Sequence, residues 1–420
     1  MHPSNVSQDS SATTTVAIQR SKLANFLLIL TLGILNALTP FTIDLYLPAF
    51  PEIAADLNTP VARMSLSVSV YFIGFALGQV LYGPLLDRFG RKPPIYAGLA
   101  VYLAATAGCM TAQSFEALLI FRFISALGGC AASVGAISMV RDYFPAKDGA
   151  KIFSMLMLVL SVSPLLAPSI GSVLAGQWGW RMLFAALAAL AVVDLFLIAL
   201  ALPRGYRGDR SVRLELIPIM RTFREVLREP QFRAYVFSGS LSFAGLFVFV
   251  AGAPALFMQD FGVSAHGFGL IFATLAGGMI GGGQLNHLLL RYAPGKIVFR
   301  RALIVQVVIG AIFLVGALSF GYGLAGTLAL LFLYLVCAGI TYPNAAALAL
   351  EPFSKNIGSA SALLGFLQLG LGAIAAALVG LLGDTGTRPM AIVMSVFAAL
   401  GWIILRSIRV PAKATVASGG

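Results

Sequence analysis

Runs of about twenty apolar residues, separated by short polar stretches, recur along the whole 420-residue chain. Twelve are predicted to be membrane-spanning helices: 23–49, 61–83, 93–113, 115–142, 149–176, 180–202, 232–260, 264–290, 296–320, 324–350, 356–383 and 386–408. The expected fold is therefore all-α and polytopic. Residues 1–22 are polar and rich in Ser and Thr, with no apolar core of a cleavable signal, and read as a disordered tail. Residues 410–420 read as a second tail. The longest polar interior stretch, 203–231, divides the spans into a bundle at 23–202 and another at 232–409. Within this linker, "IMRTFREVLRE" has helical spacing and is expected to lie on the inner membrane surface.

The two halves resemble each other faintly. Offset by 203 residues, "GPLLDRFG" from Gly83 overlies "NHLLLRYA" from Asn286. Offset by 209, "DYFPAKDGA" from Asp142 overlies "EPFSKNIGS" from Glu351. Parallel six-helix repeats around a central site are one transporter architecture. Under these offsets Asp44 meets Phe247, Asp87 meets Leu290 and Arg122 meets Leu331, so the charged machinery is expected in the first half.

Composition agrees with the pattern. The chain is 59% hydrophobic and 10% charged, against about 25% charged in soluble domains. Its net charge of +12 could suggest nucleic acid, but 24 of the 28 Lys and Arg fall in loops, tails and span ends on the side of the N-terminus. That is the positive-inside bias, which puts both termini in the cytoplasm and makes an anionic inner leaflet, not nucleic acid, the partner of this charge. Cys109, Cys130 and Cys337 fall in predicted spans without metal-ligand spacing. No metal or cofactor is expected, and the chain is expected to act as a monomer.

A few polar residues stand out against this background. Asp44, in "PFTIDLYLPAF", has no basic neighbour in sequence, and a lone charge inside the hydrocarbon layer costs about 2.5–3.5 kcal/mol on insertion scales. An Asp held in a permanent ion pair, or capping a helix broken near Pro40 and Pro48, is the structural alternative. Arg122 is the one basic residue placed deep inside a span, away from the span ends, with an outward-snorkelling side chain as its alternative. Asp194, in the sixth span, is read either as a second proton site or, by preference, as a group that pairs locally or reaches toward the cytoplasmic end. "GPLLDRFGRKPP" combines Gly83, for close helix approach, and Gly90, for a tight turn, with Asp87, Arg88, Arg91 and Lys92. It reads as an ion-pair latch or as ordinary flanking charge. Pro164, Pro168, Gly171 and Gly176 interrupt and thin the fifth span. Asn36, Tyr46, Tyr71, Phe243, Phe247, Tyr334, Asn344 and Gln368 are candidates for a cavity wall, each with ordinary packing as its alternative.

The Gly83–Lys92 run resembles the G-x-L-[AS]-D-R-x-G-R-[KR] signature of the major facilitator superfamily, matched at Gly83, Leu85, Asp87, Arg88, Gly90, Arg91 and Lys92 and departing mildly at Pro84 and Leu86. The resemblance implies a twelve-helix major facilitator fold in two six-helix halves, with Asp87 contacting the second half in the outward-facing state. "LLIFRFISALGG" resembles the family's fourth-helix motif, which implies a coupling role for Arg122. "APSIG" resembles the antiporter motif G-P-x-x-G, with Ala167 in place of the first Gly; it implies a structural contact between halves and antiport. "IDLYLPAFPEI", together with "RDYF" at Arg141–Phe144, resembles the Bcr/CflA-like drug:proton antiporters. In that group a first-helix acid binds the proton in competition with substrate, which casts Asp44 as proton carrier and Arg122 as its coupling partner. Some related exporters carry a second acid eight residues earlier, where this chain has Asn36.

The expected function is proton-coupled export of small amphipathic compounds, in the bicyclomycin or chloramphenicol range, across a bacterial inner membrane. Export of a metabolite, such as an amino acid or siderophore derivative, is the alternative. Membrane-embedded enzyme chemistry needs a nucleophile–base cluster or metal ligands, and neither H-E-x-x-H nor G-x-S-x-G occurs. ATP-driven transport needs a phosphate-binding G-x-x-x-x-G-K-[ST], which is also missing.

Overall fold

A computed structural model describes residues 22–144, 146–202, 208–209, 216–319, 321–353, 356–383 and 387–408. The predicted tails, apart from Lys22, and most of 203–215 lie outside the described residues. The helices are α1 (Lys22–Asp44), α2 (Phe50–Asp56), α3 (Ser65–Phe89), α4 (Lys92–Thr111), α5 (Phe115–Tyr143), α6 (Ala146–Trp178) and α7 (Arg181–Ala201). They continue as α8 (Leu216–Val226), α9 (Pro230–Pro254), α10 (Ala265–Leu289), α11 (Gly295–Ser319), α12 (Leu324–Leu350), α13 (Ile357–Leu381) and α14 (Thr387–Ser407). Among the described residues there is no strand, and eleven helical segments are long and apolar enough to cross a membrane. The twelfth expected span corresponds to α6, 33 residues long and free of charged residues from Ile152 to Trp178.

Local chemistry sets the helix ends. Gly90 closes α3 at φ +81°, a conformation that only Gly enters without strain. Ser114 and Ser264 cap α5 and α10, their side chains accepting from the amides of Ala117 and Gly267 at 3.2 Å. The first span does not run unbroken to residue 49, as expected. It stops as an α-helix at Asp44, and Leu47–Ala49 tightens into a 3₁₀ turn that contains Pro48. Past Pro254, which offers no N–H to the ladder, the chain widens into a π-helical turn at Ala255–Asp260.

Helices α1 and α3–α7 pack among themselves, as do α9–α14. The two groups meet along α3 against α13 and α6 against α10. Contacts between them gather at the end of the bundle holding residues 44–65. There Ser69 Oγ donates to the Ala373 carbonyl at 2.7 Å, and the rings of Phe72 and Phe247 meet edge-on with centroids 4.5 Å apart. At Gly380 a methyl group would overlap Ser65 Oγ. Toward the opposite end α3 and α13 still touch at Gln79 and Gly365. Two turns further on, the Asp87 side chain is 56% exposed.

The linker helix α8 does not lie free on the membrane surface. Val226 is buried, and Phe223 and Leu227 pack with it against Phe232 and Leu363 of the second group. On the other side of the linker, the Asp209 amide donates to the Asp87 carbonyl at 2.9 Å.

Candidate functional site

The last turn of α1 places Asp44. The Leu45 amide still donates to the Phe41 carbonyl at 3.0 Å, so the helical register holds through this turn. Thr42 and Tyr46, four residues apart, lie on one face, and Asp44 between them points about 200° away. Asp44 is 4% exposed and forms no ion pair among the described residues.

Arg122 meets the other face. It is fully buried, about 10 Å into α5 from Phe115 at 1.5 Å per residue. Its Nη1 donates to the Thr42 carbonyl at 3.1 Å. The guanidinium carbon lies 4.2 Å from the ring centroid of Tyr46 and 4.4 Å from that of Tyr71. A desolvated cation–π contact is worth about 2 kcal/mol, so two rings and a carbonyl replace the missing carboxylate. Among the described residues the Nε and Nη2 donors and the Tyr71 hydroxyl have no hydrogen-bond partner. Thr42 Oγ1 shares a hydrogen bond with the Tyr102 hydroxyl at 2.7 Å, and Tyr46 shares one with Ser67 at 2.9 Å. The direct Asp44–Arg122 pair expected from the sequence is therefore not formed here. The two groups share a depth but lie on opposite sides of one helical turn.

The same turn is gripped from behind by α6. A methyl group at Gly171 would overlap the Leu45 carbonyl oxygen, so only Gly lets the two backbones meet. Pro164 and Pro168 lie inside α6, about two turns and one turn before this contact. A methyl group at Gly176 would meet nothing within 4 Å, nor would one at Gly83, so the close helix approach expected at Gly83 is not there.

At the opposite end, Arg91 is 8% exposed and organises the turn after α3. Its Nε and Nη2 donate to Asp142 at 2.5 and 3.3 Å, and its Nη1 donates to Asp87 at 3.0 Å. Burial opposes the Arg91 charge, but these hydrogen bonds outweigh it and hold the guanidinium above its ordinary pKa. The Arg88 guanidinium lies 5.6 Å from the Phe89 ring centroid, and Lys92 opens α4.

The cavity candidates divide. Phe243 stacks on Tyr342 at 4.6 Å and contacts Phe247 at 5.6 Å, and Gln368 with Tyr342 and Tyr235 lines a groove between α9, α12 and α13. Tyr342 is 41% exposed. The sequence reading passed over it; the signal was an aromatic beside Pro343 in the middle of a span. The other candidates point into helix packing. Tyr46 and Tyr71 enclose Arg122. Asn36 donates to the Leu156 carbonyl at 3.2 Å, Tyr334 to the Met394 carbonyl at 3.0 Å, and Asn344 to Asn286 at 2.6 Å. Asp194, expected by preference to pair locally or to reach toward the cytoplasmic end, is fully buried, and among the described residues neither carboxyl oxygen has a partner. The second half also has polar structure of its own, with Ser242 joined to Gln306 at 2.5 Å and to Thr341 at 2.8 Å.

The model of the Major Facilitator Superfamily matches residues 32–377. The chain belongs to the Major Facilitator Superfamily. Among its relatives, a bicyclomycin resistance protein homolog from Haemophilus influenzae is 30% identical over 389 residues, 91% of this chain and 97% of that protein. The uncharacterized MFS-type transporter YdgK of Bacillus subtilis is 30% identical over 88% of this chain and 92% of its own. Multidrug resistance protein MdtL of Escherichia fergusonii is 29% identical, covering 79% and 83%. A bacterial homolog of the human lysosomal transporter Spinster, solved in an inward-facing and occupied conformation, shares the fold at TM-score 0.71 and 18% identity, covering 93% of this chain and 98% of that one. The all-α, multi-pass architecture of this superfamily member is the one expected from the hydropathy pattern.

Proposed function

We propose that this major facilitator exports small amphipathic compounds, in the bicyclomycin or chloramphenicol range, across a bacterial inner membrane in exchange for protons. The single observation that carries the coupling is Asp44, a buried carboxyl without a cation partner beside the junction of the two halves. A carboxyl placed so can exchange its proton when water or a cation reaches it. The relatives named for bicyclomycin and multidrug resistance support the substrate class, as does the aromatic wall of Phe243 and Tyr342. The halves at 23–202 and 232–409 rock against each other, both termini are cytoplasmic, and the chain works as a monomer. In that orientation the sealed end faces outward, the state described here is inward-facing, and the Asp87–Lys92 turn is the cytoplasmic gate.

Proteoliposomes with a trapped pH-sensitive dye test this. Bicyclomycin or chloramphenicol is expected to trigger proton movement in the native protein, and Asp44→Asn is expected to abolish it. Survival of the signal in Asp44→Asn removes Asp44 as carrier. A response to amino acids but to neither antibiotic makes the protein a metabolite exporter instead.

A further inference from the structure

Resting on the antiport reading, we infer that Arg122 is a positioning residue that clamps the last turn of α1 through the rings of Tyr46 and Tyr71, and that it acts on Asp44 through this turn and not as its ion-pair partner. Four observations carry the inference. Arg122 touches the residues two before and two after Asp44, the carbonyl of Thr42 and the ring of Tyr46, but makes no ion pair with Asp44. Among the described residues no acid pairs with Arg122; the titratable groups around it are Tyr46 of the turn after α1, Tyr71 of α3, and Tyr102 and Cys109 of α4. Among the described residues the Tyr71 hydroxyl has no hydrogen-bond partner within 3.5 Å, and its ring faces the cation. On the far side of the same turn, Gly171 brings α6 onto the Leu45 backbone. A turn held at its carbonyl, at one ring and at its backbone has few rotations left to it. Asp44 rides on that turn, so the clamp sets the direction in which the carboxyl points. Since α6 packs against α10 of the other half, any movement of the turn passes to the junction that opens and closes the cavity.

The hydroxyl and the ring of Tyr71 make the test sharp. Native protein, Tyr71→Phe, Tyr71→Leu, Tyr46→Leu, Arg122→Gln and Asp44→Asn are compared in two measurements. The first is chloramphenicol-driven proton movement in dye-loaded liposomes. The second, which needs no substrate, is amide hydrogen exchange in detergent over residues 40–50. The expected result is that Tyr71→Phe stays within about twofold of native in both, because the ring is kept. Tyr71→Leu, Tyr46→Leu and Arg122→Gln are expected to share one phenotype: coupled transport down about tenfold or more, and exchange in 40–50 faster by a similar factor. The inference is overturned if Tyr71→Phe fails like Tyr71→Leu, which would make the hydroxyl the working group. It is equally overturned if Arg122→Gln loses coupling while exchange in 40–50 stays native, which would make the charge alone the working feature. Native coupling in Asp44→Asn brings down the underlying antiport assignment instead, and leaves the exchange measurements to decide the clamp.

Discussion

The contacts that seal the two halves at one end set the balance between conformations, and Ser69 is the cleanest place to weaken them. Its hydroxyl, 1% exposed, donates across the junction to the Ala373 carbonyl at 2.7 Å. Ser69→Ala removes one buried neutral hydrogen bond, worth about 1 kcal/mol net. The bond exists only while this end is closed, so the loss falls on one conformation, and 1 kcal/mol changes the population ratio about fivefold. Adding Phe72→Leu keeps the apolar volume but removes the edge-on ring contact with Phe247, another 0.5–1.5 kcal/mol or so. Ser69 and Phe72 are neighbours on α3, so the two losses are not strictly additive; the double variant is expected to shift the ratio between about fivefold and sixtyfold. Spin labels at Phe89 and Ile357, which are 50% and 51% exposed on the first and second halves, read the opening at the other end by pulsed electron resonance. The native cysteines are all buried and stay out of the labelling. Closing the other end should enrich the shorter label distance. An unchanged distribution, or a shift to longer distances, refutes the assignment of these contacts to one conformation.

Gly171→Ala forces a methyl group into the Leu45 backbone and is expected to cost about 1–3 kcal/mol, seen as a lower unfolding temperature in detergent. Gly176→Ala, with open space around it, is expected to be neutral or to stabilise by about 0.5–1 kcal/mol; equal effects at the two sites would contradict the packing described. Asp142→Asn strips Arg91 of a two-pronged partner and is expected to cost about 1.5–3 kcal/mol. Asp87→Asn, whose carboxyl is 56% exposed, is expected to cost less than about 1 kcal/mol by the same thermal assay.

Hydropathy alone located the long helices, because a span must be apolar along its whole length and loops need not be. It did not give rotation. The last turn of α1 shows why. Asp44 and Arg122 sit at a depth where pairing looked natural, but which way each points depends on neighbours brought from α3, α4 and α6. Tyr71 and Tyr46 read from the sequence as candidates for a cavity wall or as ordinary packing, whereas the fold spends them on enclosing a cation. Tyr102 and Thr42 carried no sequence signal, since a tyrosine and a threonine in a span are usually packing. The glycines were legible as a class but not individually: Gly90 and Gly171 are required by a positive φ and by a backbone crossing, while Gly83 and Gly176 face open space.

The enclosure of Arg122 also bears on how the chain is made. The groups that the described residues bring to its guanidinium, the Thr42 carbonyl and the rings of Tyr46 and Tyr71, with Tyr102 and Cys109 near by, all precede it in the sequence. Synthesis runs from the N-terminus, so α1, α3 and α4 leave the ribosome before α5. A span carrying a bare guanidinium is penalised in lipid by about 2.5–3.5 kcal/mol on insertion scales. Here α1, α3 and α4 pack against α5 far more than against one another, so the groups that enclose the guanidinium are made before it and close around it only as its own span docks.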